Sequence, residues 1–431
     1  MKLTDEEKSM LEGNQGLARK KAMELLLQYG KALGAEKFID TDNVHILTPF
    51  YFYPKVLNDN LDINDIDMFI SKSVLNSDDK VKVDKVEAFT TSHIPGVDLD
   101  NFELTEASKG RDPDNFYEMV KIMQNYCNKI GVNMTSTCTP YTVGNVPLKG
   151  ENIAWTESSA ISYANSVLGA RSNIEGDHSS FASALTGKTI NYGLHLDENR
   201  EGDILVNVDI PINNIMDWDL LGYSVGFKVG LKVPVYNNIN NPPNMRKLMT
   251  LSAAGAASGA IIMYHIIGVT PEANTLEEAF NKKEPEYTIN YDKKKRRNAY
   301  EKLNCTNKKD IDYVVLGCPH YSLERLNYVA SLLKDKTISS NTALYIFTNL
   351  QHKALAKKSG YQKIIEDAGG KLIIDSCPLN SKIKPSSVVA TDSAKISHTS
   401  GGMKGWKNVR YGNTKECIDA ALSGIWRGEL S

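Results

Sequence analysis

Residues 135–150 read TSTCTPYTVGNVPLKG, and two related segments follow closely, AWTESSA at 154–160 and ANSVLGARSN at 164–173. The run from Val132 to Ser136 is short and bounded by turn residues, which predicts a strand that delivers Cys138 to a loop. The loop itself is marked by two prolines, a glycine and an asparagine. A thiol at the end of a strand is well placed for chemistry.

Taken one at a time, these residues have simpler explanations. A buried Cys commonly packs as a small hydrophobic residue. Glu157, Ser158 and Ser159 could begin a helix, since hydroxyl and carboxylate side chains are favoured at helix N-termini. Cys138 therefore needs support from the rest of the chain before it can be given a chemical role.

Length and composition indicate a globular protein of several domains. The chain has 431 residues, more than one core usually fills, so we expect two or three domains. Hydrophobic residues make up 41% and charged residues 24%, as in ordinary soluble proteins. Fifty Lys and Arg against 52 Asp and Glu leave a net charge of -2, so no overall basic field favours nucleic acid or an anionic membrane.

The N-terminus and the hydropathy pattern bear on the compartment. The chain opens MKLTDEEK, which is too charged for a signal peptide. No apolar run reaches the roughly 18 residues that a membrane-spanning helix needs. We expect a cytoplasmic protein with neither a membrane nor nucleic acid as a partner.

Six cysteines are spread along the chain without a close CxxC pair. Their spacing argues against a zinc finger and against a dense disulfide framework. They are Cys127, Cys138, Cys305, Cys318, Cys377 and Cys417. A metal bound by these cysteines would need ligands that converge from distant parts of the chain.

The last third of the chain predicts the clearest architecture. Apolar runs at 312–317, 343–348 and 371–375 alternate with helical patterns at 323–333 and 349–367. This βαβαβ order predicts a parallel sheet with right-handed crossovers. Ligands of such sheets bind outside the carboxyl ends of the strands.

Three cysteines share one structural position in this prediction. Cys318 follows the first of these strands and Cys377 the third, each directly before a proline, and Cys138 follows its own strand. Strand ends at one edge can bring distant thiolates together. Soft thiolates favour iron clusters, zinc or copper, and three ligands leave a coordination position open for substrate. Three separately buried thiols remain the alternative.

We expect four segments along the chain. The charged run 281–297 is interpreted as a solvated connection and a candidate boundary. The segments are 1–80, helical or mixed; 81–207, an α/β domain with the first Cys; 208–304, a further α/β domain; and 305–431, the βαβαβ domain with the other two Cys and the C-terminal segment.

A histidine follows another predicted strand. Valines alternate with charged residues between Lys80 and Phe89, and the segment TSHIPG then carries His93. A His just past a strand, beside a Ser and before a Pro, either contacts a ligand or lies in an ordinary surface loop. Both interpretations stay open on these residues alone.

Several of these segments, taken together and in order, resemble the aconitase X family. The resemblance runs from about residue 85 to the C-terminus and is far more specific than any single motif. The segments are CTPYxxGNxP from Cys138, AWxESSA from Ala154, ANSVLGARxN from Ala164, HLDENR from His195, GVTPEA from Gly268, GCPH from Gly317, SCP from Ser376 and TDSAK from Thr391.

The resemblance implies a fold, a cofactor and a partner. The fold is α/β, an aconitase-like multi-domain architecture with parallel sheets that lacks the swivel domain. The cofactor is an iron-sulfur cluster or a mononuclear iron held by Cys138, Cys318 and Cys377. The partners are a small-molecule hydroxy acid and a separate small swivel subunit that bears a catalytic Ser.

The resemblance also implies a dehydratase, with more than one substrate open. Family members dehydrate either cis-3-hydroxy-L-proline or phosphomevalonate. The Asn-rich, Lys-rich composition suits a mesophilic bacterium, so we expect cis-3-hydroxy-L-proline dehydration to pyrroline-2-carboxylate first. The alternatives are the large subunit of a phosphomevalonate dehydratase and a non-catalytic metal-binding paralogue.

The expected chemistry assigns roles to named residues. The metal centre stabilises the leaving hydroxide, and a base removes the proton alpha to the carboxylate. Glu157 or His93 is the expected general acid, and the principal base is expected from the small subunit. The residues assigned to substrate binding are Ser158, Ser159, Arg171, Ser172, Asn173 and Lys395.

Overall fold

The computed structural model describes residues 1–48, 62, 64–105 and 113–430. Within these ranges the strands form three parallel sheets, of three, four and five strands, and one short antiparallel pair. No helix in the described ranges is long and apolar enough to cross a membrane. Each parallel sheet belongs to a different part of the chain, called here the N-terminal (1–200), middle (201–305) and C-terminal (306–430) units.

The N-terminal unit is built on the sheet β3-β2-β4, in which both neighbours run parallel to β2. Thr4 accepts a hydrogen bond from the Glu7 amide and caps the first helix. Buried apolar residues between Met10 and Ile190 form a single core. This core includes residues on both sides of the segment boundary expected at residue 80. The helices are α1 (Asp5–Glu12), α2 (Leu17–Ala32), α3 (Ile66–Ser73), α4 (Pro113–Lys129), α5 (Ser158–Tyr163) and α6 (Asp177–Thr186). The strands are β1 (Phe38–Asp40), β2 (Asn43–Ile46), β3 (Phe89–Ser92), β4 (Ile153–Trp155) and β5 (Lys188–Ile190).

The middle unit contains the parallel sheet β8-β7-β6-β9 and a close pair of helices. Its helices are α7 (Ile215–Val229), α8 (Met245–Gly259), α9 (Leu276–Phe280) and α10 (Lys293–Leu303). Its strands are β6 (Ile204–Val208), β7 (Pro234–Asn237), β8 (His265–Ile266) and β9 (Tyr287–Tyr291). The backbones of α7 and α8 nearly touch: a Cβ on Gly259 would lie 1.9 Å from the Gly226 carbonyl oxygen. The small residues at this contact permit the close approach, and α8 ends at Gly259 because Ala260 adopts φ 56°.

The C-terminal unit confirms the predicted βαβαβ order and extends it to the parallel sheet β12-β11-β10-β13-β14. Its helices are α11 (Leu323–Leu333), α12 (Leu350–Lys358), α13 (Tyr361–Asp367), α14 (Ala394–Lys404) and α15 (Thr414–Ser423). Its strands are β10 (Tyr313–Tyr321), β11 (Ala343–Thr348), β12 (Lys371–Ile373), β13 (Val388–Thr391) and β14 (Asn408–Tyr411). The predicted helix 349–367 is two helices, since Gly360 has φ 79° and interrupts it.

Three local predictions differ from the structure. The run 281–297, predicted to be a solvated connection, contains β9 and the start of α10. Strand β9 pairs with β6 and buries Ile289 and Tyr291. The segment 132–136 makes only an isolated bridge between Asn133 and Thr91. Of the valines after Lys80, Val81 and Val83 are buried and Val86 is half-buried, but none joins a ladder, and the strand itself begins at Phe89.

Candidate active site

The carboxyl ends of two parallel sheets meet at one place in the molecule. In the N-terminal unit, β3 ends directly before His93 and β4 ends two residues before Glu157. In the C-terminal unit, β12 and β13 each end four residues before a predicted site residue, Cys377 and Lys395 respectively. A hydrogen bond between Lys395 and Glu157 joins the two edges. This is where ligands of parallel sheets are expected to bind.

The backbone turns sharply before each of the three predicted metal ligands. Ser136 has φ 45° two residues before Cys138, and Asp375 has φ 55° two residues before Cys377. Gly317, directly before Cys318, has φ 102°, and a Cβ there would lie 2.1 Å from the Phe347 carbonyl oxygen. Left-handed backbone is uncommon outside glycine and persists only where the surroundings enforce it. Cys138 and Cys377 lie in loops that these turns hold in place. Cys318, which was predicted to follow its strand, lies within β10, directly after the turn at Gly317.

Two of these loops are tied to each other. A side-chain hydrogen bond joins Ser136 to Asp375, and the Ser376 hydroxyl donates to the Gly96 carbonyl at 2.8 Å. Burial raises the pKa of Asp375 to about 7, aided by the neighbouring Asp98 and opposed by the Ser136 hydrogen bond. The loops that carry Cys138 and Cys377 are thus connected through polar side chains rather than through packing alone.

Three histidines surround Thr137, the residue before Cys138. The Thr137 carbonyl accepts from His45 Nε2 at 3.1 Å and from His93 Nδ1 at 3.3 Å. The Thr137 hydroxyl lies 3.0 Å from His320 Nδ1, while His320 Nε2 donates to the Ser376 carbonyl at 2.8 Å. Burial lowers the pKa of His45 to about 3 and that of His320 to about 4, so both rings are neutral at pH 7.

The three predicted cysteine ligands lie within electrostatic reach of one another. Cys138 accepts a hydrogen bond from the His320 amide at 3.4 Å, which places it beside the part of β10 that carries Cys318. Burial raises the pKa of Cys138 well above its ordinary value and that of Cys318 to about 12. A charge on Cys318 would raise the pKa of Cys138, and a charge on Cys377 would raise that of Cys318. Cys318 is thus an electrostatic neighbour of each of the other two thiols, and their convergence on one metal centre stays a prediction.

A buried ion pair lies beside these thiols. Lys395 Nζ donates to Glu157 Oε1 at 2.7 Å, and their side chains are only 17% and 8% exposed. Glu157 also caps α5, accepting from the Ala160 amide at 2.7 Å and from the Ser159 hydroxyl. Burial opposes ionisation of Glu157, but Lys395 and His93 lower its pKa to about 2. The carboxylate is therefore ionised at neutral pH.

Lys395 and His93 complete the charge distribution of the site. Burial disfavours the Lys395 ammonium, but Glu157 and the neighbouring thiol groups raise its pKa above the ordinary value. Burial lowers the pKa of His93, which Glu157 partly opposes. Because the Thr137 carbonyl can only accept, His93 carries its proton on Nδ1 and its lone pair on Nε2.

The donor set is compatible with an iron-sulfur centre and with a single iron ion. Cys138 is buried, Cys318 and Cys377 are half-buried, and thiolates are soft ligands of the kind that hold iron. In the described ranges, no three Cys, His, Asp or Glu side chains form a ready-made set around one metal ion.

The residues predicted to bind substrate fall into two groups. Ser159 and Lys395 lie directly against Glu157. Ser158 follows Glu157 as the first residue of α5 and is half-buried. These three residues share the sheet edge with the predicted cysteine ligands.

The other group lies at the opposite end of β4. Arg171 pairs with Asn152, five residues before Glu157, which corresponds to roughly 15 Å along a strand. The Arg171 guanidinium donates to the His195 carbonyl at 2.7 Å and pairs with Asp197. The structure therefore does not bring Arg171 to the thiols.

Ser172 and Asn173 follow Arg171 and run alongside β4 towards its carboxyl end, where Ser172 contacts Trp155, and both bond to backbone atoms. The Ser172 hydroxyl accepts from the Trp155 amide at 3.2 Å and donates to the Asn173 carbonyl at 2.8 Å. The Asn173 side chain accepts from the Leu194 amide at 3.0 Å and donates to the Tyr192 carbonyl at 2.8 Å. Both side chains anchor loops in the structure, rather than joining Lys395 and Glu157.

Sequence reasoning gave no role to His45, His320 or Thr137. His45 lies on the central strand β2, between the strands that deliver His93 and Glu157. His320 stands in the GCPH segment, two residues after Cys318. Only the order of strands β3-β2-β4, which the sequence does not reveal, would have placed His45 beside the site.

The chain is similar to known proteins in sequence and in structure. Models of the aconitase X first, second and third domains match residues 1–198, 202–301 and 311–423. The chain also resembles a crystal structure of Thermococcus kodakaraensis aconitase X in its holo-form, with TM-score 0.81 and 34% identity. That match covers 98% of this chain and 100% of the other.

Two groups of relatives carry different names. The phosphomevalonate dehydratase large subunit of Methanocaldococcus jannaschii is 38% identical, over 92% of this chain and 94% of its own length. That of Methanosarcina mazei is 36% identical, over 98% of both chains. The cis-3-hydroxy-L-proline dehydratase of Pseudomonas aeruginosa is 29% identical, over 97% of this chain but 69% of its own length.

The predicted family and fold are confirmed. The three family segments follow one another in order along the chain, and no swivel domain is among the segments matched. The relatives on both sides are named dehydratases. The chain therefore belongs to the aconitase X family and is a hydro-lyase.

Proposed function

We propose that this chain is the large subunit of a phosphomevalonate dehydratase. The observation that carries the proposal is a buried Glu157–Lys395 ion pair beside three converging thiols, in a chain that matches such large subunits over nearly their whole length. The reaction breaks the C–H bond alpha to the carboxylate and the C–O bond of the neighbouring hydroxyl. A double bond forms and water leaves.

The comparisons favour this alternative over cis-3-hydroxy-L-proline, the substrate expected first from composition. Identity to the Methanocaldococcus and Methanosarcina large subunits is 38% and 36%, against 29% for the Pseudomonas hydroxyproline enzyme. Overall composition reflects the growth conditions of the host, whereas substrate specificity depends on individual contacts in the site. Identity over full length is the better guide because it includes those contacts.

The same coverage supports a separate partner subunit. The relatives named large subunits end close to where this chain's match ends, since 94% and 98% of their lengths are covered. The hydroxyproline enzyme, whose name mentions no subunit, has about a third of its length outside the match, which covers 69% of it. We infer that the small subunit supplies to this chain what that extra length supplies to the single-chain relative.

Cys138, Cys318 and Cys377 would hold an iron-sulfur centre. When bound, such a centre would supply a Lewis acid that stabilises the departing hydroxide. The chain contributes the rigid cradle for it, because each thiol follows a left-handed residue. The neutral rings of His45 and His320 hold the Cys138 loop through Thr137 without adding charge.

Lys395 is the residue we expect to bind the substrate carboxylate. Its ammonium is buried and protonated, and its present partner is the Glu157 carboxylate at 2.7 Å. A bound carboxylate beside it would gain the same charge-assisted hydrogen bond, in surroundings of low dielectric constant. The negative charge that develops on the substrate after proton loss would be stabilised from the same atom.

Glu157 takes a different role from the general acid first assigned to it. Its pKa of about 2 means that it holds no proton to donate at neutral pH. We infer that Glu157 orients Lys395. Of the two residues, His93 is the better candidate for proton transfer, because the lone pair on its Nε2 can accept a proton. The principal base is expected on the small subunit.

A substrate panel with the reconstituted pair tests the function. The full chain is loaded anaerobically with iron and sulfide, mixed with the small subunit, and offered phosphomevalonate, unphosphorylated mevalonate and cis-3-hydroxy-L-proline. Water loss is followed by proton NMR of the new alkene. We expect turnover of phosphomevalonate only, and little turnover by the chain without its partner.

The other outcomes decide between the alternatives. Preferred turnover of cis-3-hydroxy-L-proline would overturn the substrate assignment. Full activity of the large chain alone would overturn the two-subunit assignment. Binding of iron without turnover of any hydroxy acid would identify a metal-binding paralogue instead of an enzyme.

A further inference from the structure

A cavity lies between the middle and C-terminal units. Its volume is about 400 Å³, within the range of sites for small metabolites. It is lined by residues 213–216, Asn244, Arg246 and Lys247 of the middle unit and by Arg325, Tyr328, Asp392 and residues 413–415 of the C-terminal unit. None of the three cysteines, nor Glu157 or Lys395, belongs to its lining.

Three helix N-termini converge on this cavity. Helices α7, α8 and α15 are 15, 15 and 10 residues long, and each is capped by an asparagine side chain, Asn214, Asn244 and Asn413. All three capping residues line the cavity. The amides of the first helical turn have no partner within their own helix and carry partial positive charge. Such ends favour phosphate and other anions.

Four cationic side chains also line the cavity, against a single carboxylate. The half-buried Arg246 pairs with the exposed Glu324 at 2.7 Å, and the exposed Lys415 pairs with Asp419 at 2.6 Å. Arg325 pairs with the cavity carboxylate Asp392. Lys247 is the fourth cation and extends from the first turn of α8. Surface pairs of this kind are weak, so their cations remain available to a multivalent anion.

Asp392 provides an independent indication of a ligand. The residue is 7% exposed, and its Oδ2 accepts from Arg325, from the Tyr321 hydroxyl and from the Thr414 hydroxyl. Its other oxygen, Oδ1, is buried and accepts no hydrogen bond from the described residues. A buried carboxylate oxygen without a donor is costly, and a ligand hydroxyl would satisfy it. The wall of the cavity thus requires a donor as well as an anion.

We propose that this cavity is a second ligand site, which binds a small phosphate ester carrying a hydroxyl group. The phosphate would lie against the three helix N-termini and Lys247, and the hydroxyl would donate to Asp392. Asp392 stands three residues before Lys395. Between them lies Ala394, whose amide donates to the buried Asp219 at 2.7 Å. Occupation would therefore stabilise the start of α14, the helix that carries Lys395. The proposal does not depend on the reaction catalysed.

Binding to the full chain, without iron or partner, tests the proposal. Three probes are titrated by isothermal calorimetry: glycerol 3-phosphate, inorganic phosphate and glycerol. We expect glycerol 3-phosphate to bind more tightly than phosphate, because it also supplies hydroxyl donors, and glycerol not to bind. The double variant Lys247→Gln, Lys415→Gln should raise the dissociation constant by about tenfold or more, since charge-assisted hydrogen bonds are the strong ones.

Two control variants separate this cavity from other cationic sites. Lys357→Gln changes an exposed lysine on α12 that lines no described cavity, and it should leave affinity unchanged. The double variant Glu157→Gln, Lys395→Met, which removes both charges of the catalytic ion pair, should also leave it unchanged. Loss of binding in that variant, with normal binding in the Lys247 and Lys415 double variant, would assign the phosphate to the catalytic site and overturn the proposal.

The remaining outcomes are also decisive. A neighbouring surface cavity is lined by Lys293, Arg296 and Arg297. Binding that is lost in Lys293→Gln, Arg297→Gln and retained in the Lys247 and Lys415 double variant would place the anion there. Equal affinity for phosphate and glycerol 3-phosphate would refute the role of Asp392, and no binding of either probe would refute the site.

Discussion

Replacing Lys395 with methionine should destabilise the protein strongly at neutral pH and much less in acid. The change keeps the length of the side chain but leaves the Glu157 carboxylate buried without its cation. In the intact protein the Glu157 pKa is about 2 instead of 4.5. At about 1.4 kcal/mol per unit this corresponds to about 3 kcal/mol, similar to the roughly 3–5 kcal/mol measured when one partner of a buried pair is removed.

The pH dependence gives the prediction its sign. Because the folded-state pKa of Glu157 is depressed, its stabilising contribution is present above about pH 4.5 and is lost as pH falls towards 2. Without Lys395, burial would raise the folded-state pKa of Glu157, so ionisation would oppose folding as pH rises. The difference between the two proteins should therefore be largest near pH 8 and shrink towards pH 4.

Urea unfolding followed by tryptophan fluorescence measures this difference as a shift of the midpoint. The second change Glu157→Gln, added to Lys395→Met, should restore much of the loss, since neutral replacements of a buried pair are often tolerated. Lys363→Met removes the exposed pair with Asp367 and should cost about 1 kcal/mol or less. Equal midpoints for Lys395→Met and the unmodified chain at pH 8 would refute the reasoning.

Three further predictions concern single side chains. Gly317→Ala should reduce both the melting temperature and the iron bound after reconstitution, because its Cβ would meet a backbone carbonyl of β11 at 2.1 Å; unchanged iron content would contradict the cradle argument. Gly259→Ala should force α7 and α8 apart and lower the melting temperature, whereas Gly402→Ala, which meets nothing within 4 Å, should be neutral or stabilise by about 0.5–1 kcal/mol. Cys318→Ser should fold but bind less iron than Cys305→Ser, whose thiol is exposed; equal iron in both would remove Cys318 from the ligand set.

Local patterns predicted much of the C-terminal unit. Apolar runs and helical periodicity identified β10, β11 and β12 because each strand of a parallel sheet is buried on both faces and reads as a continuous apolar segment. The position of Cys377 after β12 followed from that order. Cys138 and Cys377 are 239 residues apart, and no local pattern shows that they lie close together. The strand pattern left their convergence open, and the family resemblance favoured it.

The parts that escaped prediction depend on contacts between distant segments. Strand β9 lies between two groups of lysines in the run 281–297, which is why the run was predicted to be a solvated connection. Its pairing with β6, which is distant in sequence, identifies it as a strand. Arg171 stands close to Glu157 in sequence, yet the helix α5 carries the chain away and returns it to the other end of β4. The ionised state of Glu157 depends on Lys395, which is 238 residues away.

Iron-edge anomalous scattering from crystals of the anaerobically reconstituted chain tests the central claim most directly. The account predicts anomalous peaks within bonding distance of the Cys138, Cys318 and Cys377 sulfur atoms, with Lys395 and Glu157 alongside. Iron bound elsewhere on the chain, or iron that contacts only one of these sulfurs, would contradict it.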